Sequence, residues 1–154
     1  MEENNQKKPF YKNKFVISLF IMFIITIIFN LQFSILLVSG ESMMPTYKNN
    51  EFLFGTKIDK NYNRFDVIVV YAKDKYIIKR IIGLPGEHIE YKDNKLYING
   101  NLVKDDFNFG ITDDFDVTID ENSYFCLGDN RNNSLDSRYY GTFNKKYILA
   151  KVRQ

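Results

Sequence analysis

A serine hydroxyl becomes a useful nucleophile only when a neighbouring base takes its proton. Ser42 is the serine whose setting invites that reading. It lies in Ser39-Gly40-Glu41-Ser42-Met43-Met44-Pro45-Thr46-Tyr47, just after the only long apolar run of the chain. The single histidine, His88, sits in Glu87-His88-Ile89-Glu90 with no pattern tying it to Ser42, and reads as a surface residue. Lysine is the other base. Residues 76–82 have strand composition, and a period of two puts Ile77, Lys79 and Ile81 on one face and Ile78, Arg80 and Ile82 on the other. Burial among isoleucines disfavours an ammonium, lowering its pKa from about 10.4, and a neutral amine accepts a serine proton. The plainer alternative is that Lys79 runs its stem out to solvent, as most lysines do.

A third polar stretch follows a strand-like run: Gly128-Asp129-Asn130-Arg131-Asn132-Asn133-Ser134-Leu135-Asp136-Ser137-Arg138-Tyr139-Tyr140-Gly141. Ser134, Asp136 and Arg138 recur at spacing two, so an extended backbone would aim them the same way. Asp136 could pair with Arg138, and the Ser134 hydroxyl could be held in place. A surface loop built on Asx turns accounts for the same residues.

These groups need elements to position them. The chain has 154 residues, a formal charge of +2, abundant Tyr and Phe and no Trp. That length suits one domain plus a membrane segment. The balanced charge gives no basic face for nucleic acid, and the aromatic and β-branched bias favours strands. Cys126, alone in Tyr124-Phe125-Cys126-Leu127, has no disulfide or metal-ligand companion and reads as a small buried hydrophobe. Residues 15–29 form an uncharged apolar run, about 22 Å as a helix at about 1.5 Å per residue. A bilayer core takes about 20 residues, so flanking residues must complete a span. A cleaved signal peptide has the same basic start, but its apolar centre is usually about 7–15 residues, and Val38-Ser39-Gly40 is a poor cleavage site. A retained single-pass anchor over 15–30 is the better reading, although hydropathy alone would extend it to 38. Lys7, Lys8, Lys12 and Lys14 put residues 1–14 in the cytoplasm and residues 31–154 outside it. Leu31-Gln32-Phe33-Ser34-Ile35 already alternates with the strand period, giving a first strand over 31–38.

Beyond residue 50 the signals are short strands and turns: 51–55, 65–71, 76–82, 88–91, 95–98, 115–119, 123–127 and 145–152. Asp93-Asn94 and Asn99-Gly100 supply hairpin turns. No amphipathic helix stands out after the anchor. The expected fold is all-β, a folded barrel or sandwich tethered by one N-terminal transmembrane helix, with a minimal hairpin insertion near 87–122.

Together the three polar stretches resemble the boxes of bacterial type I signal peptidases, the membrane-bound serine-lysine endopeptidases. Gly40-x-Ser42-Met43-x-Pro45-Thr46 is similar to the nucleophile box, and Arg64-x-Asp66-Val67-Ile68-Val69 to the strand box that follows. Residues 76–86, ending Gly83-Leu84-Pro85-Gly86, are similar to the base box, and residues 128–141 to the last one. The resemblance implies removal of signal peptides from exported preproteins, which bind as extended strands, by an enzyme of the cell membrane. It implies Ser42 as nucleophile, Lys79 as general base, Ser134 orienting the lysine amine, Asp136 and Arg138 holding the last box in shape, and Arg80 as structural. It calls for no cofactor or metal. Lysine at position 79 fits the bacterial branch and not the endoplasmic-reticulum type, which has histidine there. Gly40 departs from members that carry a serine two residues before the nucleophile, which leaves the Ser42 N–H and an unidentified donor for the oxyanion. Glu87 stands where Asp is usual. A specialised or non-catalytic homologue acting in pilus or surface-protein assembly is a rival, but such proteins typically lose the serine or the lysine.

Overall fold

The computed structural model describes residues 14–153; the basic segment read as cytoplasmic lies, up to residue 13, outside the described residues. Two units are distinct: an N-terminal helix, and a β-body from Phe33 onward.

Helix α1 spans Lys14–Gln32, about 28 Å at about 1.5 Å per residue. It is long and apolar enough to cross a membrane, and none of its residues is buried. Its polar side chains turn back on the helix: Thr26 Oγ1 donates to the Met22 carbonyl (2.9 Å) and Asn30 Nδ2 to the Thr26 carbonyl (2.8 Å). Self-satisfied groups of this kind lower the cost of polar atoms in lipid. The helix runs two residues past the expected end at 30, and β1 starts at Phe33 and not at Leu31. The alternating pattern of 31–35 loses its first two residues to helix propagation, which adds one hydrogen bond per residue.

The body is all-β apart from single turns of helix. β1 (Phe33–Leu37), β2 (Phe52–Thr56), β3 (Val67–Ala72), β4 (Lys75–Gly83) and β9 (Ser123–Leu127) join β10 (Phe143–Asn144) and β11 (Ile148–Val152) in a seven-stranded antiparallel sheet, ordered β1-β2-β11-β3-β4-β9-β10. β5 (His88–Lys92), β6 (Lys95–Ile98), β7 (Asn101–Val103) and β8 (Phe115–Thr118) form a second antiparallel sheet, ordered β7-β6-β5-β8. The insertion is thus more than a hairpin, and it has its own core in Ile89, Tyr91, Leu96, Ile98 and Ile119, packed on Ile82, Phe125 and Leu127. Residues Lys145–Tyr147, expected as strand, form a 3-10 turn capped by the Asn144 side chain.

Three two-residue hairpins have positive φ at both central positions: Lys73-Asp74, Asp93-Asn94 and Asn99-Gly100. Such turns match the right-handed twist of the flanking strands. The first carries β3 into β4 and fixes the register Ile68↔Lys79 and Val67↔Arg80. β4 therefore divides its side chains among three cores, Ile82 entering that of the second sheet. Ile77 and Ile81 face Ile68, Val70 and Cys126, while Ile78 faces Val67, Val69 and Ala150.

Gly83 marks the crossing from one sheet to the other, where β4 shifts register against β9. A Cβ there would come within 2.2 Å of Ile119 Cδ1 and 3.0 Å of Ile89 Cγ2. Gly83→Ala is accordingly expected to destabilise the body by about 1–3 kcal/mol, the usual cost of overpacking, read as a lower urea midpoint at unchanged m-value.

Candidate active site

The loop that carries Ser42 is anchored by its own sequence. Met43 is 1% exposed and inserts with Val38 into the core around Leu53, Val67 and Ala150. Burying such a side chain stabilises by about 1.5–3 kcal/mol. Turn hydrogen bonds run from Met44 N–H to the Glu41 carbonyl (3.1 Å) and from Tyr47 N–H to the Met43 carbonyl (2.9 Å). With Met43 held beneath the loop, half-buried Ser42 lines an open cleft of about 460 Å³. Lys79, Leu37, Ile77, Leu135 and Tyr140 line the same cleft.

Lys79 is 3% exposed, and its Nζ lies 2.7 Å from Ser42 Oγ. The amine also donates to the Ile78 carbonyl at 2.8 Å. Desolvation among Ile77, Ile81 and their neighbours brings its pKa down to about 8. The negative charge of Asp136 is the largest opposing influence. Serine and amine are thus in hydrogen-bond contact, and the amine gives up its proton at about pH 8. That pairing can pass a proton from hydroxyl to nitrogen.

The polar stretch 128–141 lies against this pair and folds differently from the extended reading. Arg131–Asn133 is a 3-10 turn, Ser134 and Asp136 are extended, and Ser137–Tyr140 forms one turn of helix, α2. Arg138 is therefore helical, and it meets Asp136 through a cap. Asp136 Oδ1 accepts from the Arg138 backbone N–H (3.2 Å) and from its Nε (2.9 Å), while Oδ2 accepts from Arg138 Nη2 (2.9 Å) and from the Gly128 N–H (3.0 Å). Asp136 is fully buried, so these donors replace its hydration. Ser134 is buried beside them, but its Oγ has no hydrogen-bond partner in the described residues. It packs against Gly128, where a Cβ would meet it at 2.2 Å and the Ser42 carbonyl oxygen at 2.4 Å. The partners of the Lys79 amine are Ser42 and Ile78, not Ser134.

Residues without an assigned role in the sequence reading join the two loops. Asn130 N–H donates to the Ser42 carbonyl (3.0 Å), and Asn130 Nδ2 to the Glu41 carbonyl (3.2 Å). Thr46 Oγ1 donates to Asp129 Oδ2 (2.5 Å), and the same carboxylate takes both Nε (2.8 Å) and Nη2 (2.6 Å) of Arg80. Arg80 and Asp129 are both fully buried. The alternation of residues 76–82 already put Arg80 on an apolar face, and a buried guanidinium must find a carboxylate; that was the available signal for Asp129. Arg131 reaches the second sheet, bonding the Asp105 carboxylate and the Tyr91 hydroxyl, which are themselves hydrogen-bonded. Glu87 holds Arg64 through both oxygens and accepts from the Leu84 N–H, fixing the turn after β4. His88 is on the surface against Asp116, and burial pushes the Cys126 thiol up.

The family model for signal peptidase, peptidase S26, matches residues 11–154. The chain belongs to that family. Signal peptidase I S of Bacillus subtilis (strain 168) is 41% identical, the match covering 79% of this chain and 75% of that one. Signal peptidase I V of the same organism is 38% identical over 75% of this chain and 80% of its own length. The crystal structure of a signal peptidase I from Enterococcus faecalis V583 matches with a TM-score of 0.57 and 34% identity, covering 60% of this chain and 97% of that one. Signal peptidases I are membrane-associated serine endopeptidases of Gram-positive-like type in these relatives, and the all-β body with one apolar N-terminal helix fits them.

In this signal peptidase the Arg80–Asp129 pair ties the Lys79 strand to both loops. Asp129→Ala leaves a guanidinium buried without a carboxylate, and a loss of about 3–5 kcal/mol is expected in chemical denaturation. Arg80→Met combined with Asp129→Leu should restore much of that stability, because both desolvated charges are gone.

Proposed function

We propose that the chain is a membrane-anchored endopeptidase that removes N-terminal signal peptides from exported preproteins, with Ser42 as nucleophile and neutral Lys79 as general base. The observation that carries the mechanism is the 2.7 Å contact between a buried, low-pKa amine and the Ser42 hydroxyl in an open cleft. Helix α1 is the anchor in this reading, with residues 1–14 cytoplasmic and the body from residue 31 outside.

Lys79 Nζ takes the hydroxyl proton as Ser42 Oγ attacks the scissile carbonyl carbon, and the carbonyl electron pair moves to oxygen. One oxyanion donor of the Ser42 N–H kind is worth roughly 3–4 kcal/mol in the transition state. Collapse of the tetrahedral species expels the new N-terminal amine of the mature protein, which takes the proton from the Lys79 ammonium. The signal peptide stays on Ser42 as an ester. Water then gives a proton to Lys79 and attacks that ester, and Ser42 Oγ leaves and regains the proton. The substrate lies extended along the cleft, pairing its backbone with a strand edge. Small side chains next to the scissile bond fill the shallow apolar wall made by Leu37, Ile77 and Leu135. Asp136 and Arg138 keep the last loop in shape through the cap, and Ser134 packs that loop beneath Ser42.

Two measurements test the dyad. Ser42→Ala and Lys79→Ala should each lower preprotein cleavage in detergent to background; full activity in Lys79→Ala would sink the mechanism. The protonated amine is the inactive form, so kcat/KM should fall tenfold per pH unit below about 8 and level off above it. A flat profile from about pH 6 to 10 is the contrary result.

A further inference from the structure

Three charged side chains line the cleft: Lys79, Lys75 and Glu41. The proposed mechanism gives a task only to the first. The other two stand at opposite ends. β4 runs along one wall, and Lys75 lies four residues from Lys79 on it, about 13 Å at about 3.3 Å per residue. Glu41 is the neighbour of Ser42, whose hydroxyl touches the Lys79 amine. The backbone differs between the two ends as well. On the Lys75 side the cleft runs between strand segments, Leu37 ending β1 and residues 75–78 of β4. On the Glu41 side both walls are turns, the one that carries Ser42 and the 3-10 turn Arg131–Asn133. An extended peptide therefore finds strand edges to pair with only on the Lys75 side. The segment that stays on Ser42 as an ester lies there, and the departing segment crosses Glu41.

Glu41 is exposed, yet it is held in place. Asn133 Nδ2 donates to Glu41 Oε2 at 3.4 Å, and Asn130 Nδ2 donates to the Glu41 carbonyl at 3.2 Å. Both asparagines belong to the loop whose Asn130 N–H also holds the Ser42 carbonyl, so the carboxylate is kept at the Ser42 end. No cation pairs with Glu41 among the described residues. A carboxylate offers about four acceptor sites, and one neutral amide leaves most of them open.

We propose that Glu41, seated by Asn133, is a specificity-determining residue on the departing side of the cleft, where it takes a lysine or arginine side chain from the first three residues after the cut. The inference rests on the cleft being that of the endopeptidase proposed above. Charge complementarity selects the occupant. A basic side chain on the departing side gains an open carboxylate, whereas an acidic one there meets a like charge, and the two effects add in discrimination. A basic side chain on the other side runs towards Lys75 instead. Three extended residues span about 10 Å, which bounds the positions that a carboxylate beside Ser42 can reach. Specificity of this cleft is then double: small side chains before the cut, set by its apolar wall, and a charge preference after it, set by Glu41.

The test uses peptides with small side chains before the cut and lysine, glutamine or glutamate at the first, second or third position after it. The full chain in detergent is given each peptide, and kcat/KM is read as the lysine-to-glutamine ratio at each position. A ratio of about three to five is expected at one of these positions, the upper range for an exposed ion pair. It should fall towards 1 at about 1 M salt, where the screening length is about 3 Å. In Glu41→Gln the ratio should drop to about 1, and in Glu41→Lys the glutamate peptide should become the better substrate. Ratios taken within one protein cancel any general loss of activity or of folded chain that a change beside Ser42 brings. A ratio near 1 at all three positions in the parent, a parent ratio kept in Glu41→Gln, or no reversal in Glu41→Lys overturns the proposal. So does a Glu41-dependent ratio found only for lysine placed before the cut. Binding of the same peptides to the Ser42→Ala chain, read by fluorescence anisotropy, needs no turnover. Where the parent cleaves nothing, a Kd ratio that still depends on Glu41 counts against the enzymatic reading alone. A Kd ratio of 1 in that case overturns the charge preference as well.

Discussion

A lysine amine stripped of water is the constraint around which the body is arranged. Lys79 is 3% exposed on a strand whose neighbours on that face are Ile77 and Ile81. Lowering its pKa from 10.5 to about 8 is a destabilisation of about 3 kcal/mol whenever the amine is protonated, at 1.36 kcal/mol per unit. The sign follows from linkage. Between about pH 8 and 10.5 the unfolded chain binds more protons than the folded one, so stability rises with pH there and is flat on either side. In the proposed mechanism that standing cost keeps a base ready beside Ser42, a common relation between stability and activity.

The next residue solves the opposite problem. Arg80 is as deeply buried as Lys79, but a guanidinium does not shed its proton, so it cannot relieve burial by neutralising. It requires a carboxylate, and Asp129 meets it in a two-point contact. Consecutive residues of one strand therefore meet burial differently on its two faces, by a lowered amine pKa on one and by an ion pair on the other. Asp129 also accepts from the Thr46 hydroxyl, and its neighbour Asn130 donates its N–H to the Ser42 carbonyl. The loop that carries the serine is thus held to the strand that carries the lysine by the same buried charge.

Much of this was legible in the sequence because β-structure writes a simple period. The alternation around Lys79 assigned the two faces of β4 correctly, and Asp93-Asn94 and Asn99-Gly100 announced their turns. Lys73-Asp74 did not, since neither residue is a strong turn signal and the tight hairpin around it is imposed by pairing of β3 with β4. Arg138 was misjudged for a related reason. A spacing of two suggests an extended backbone, whereas an Asp followed two residues later by a donor is also a helix cap, and only the burial of Asp136 decides between them. The partners of Arg80 and Arg131 lie tens of residues away in the chain. No local pattern connects Arg131 to Asp105 and Tyr91, because such contacts exist only once the second sheet has folded against the first.

Gly40 shows how a local backbone choice reaches the chemistry. Its φ of +94° is one that residues with a Cβ rarely adopt, although a Cβ would meet nothing within 4 Å. The requirement is conformational and not steric. It is fixed by the Gly40 N–H donating to Asn49 Oδ1 at 2.9 Å and by Val38 exchanging backbone hydrogen bonds with Asn50 and Glu51. A serine at position 40 would have room for its hydroxyl, but the backbone would carry roughly 1–3 kcal/mol of strain or leave this turn. In this chain the turn leading to Ser42 holds a glycine conformation at that position instead. In the proposed mechanism, oxyanion stabilisation then falls first to the Ser42 N–H, whose direction depends on the same turn and on Met43 buried beneath it. In that mechanism the fixity of the 38–47 loop is part of the catalytic apparatus, and not merely its support.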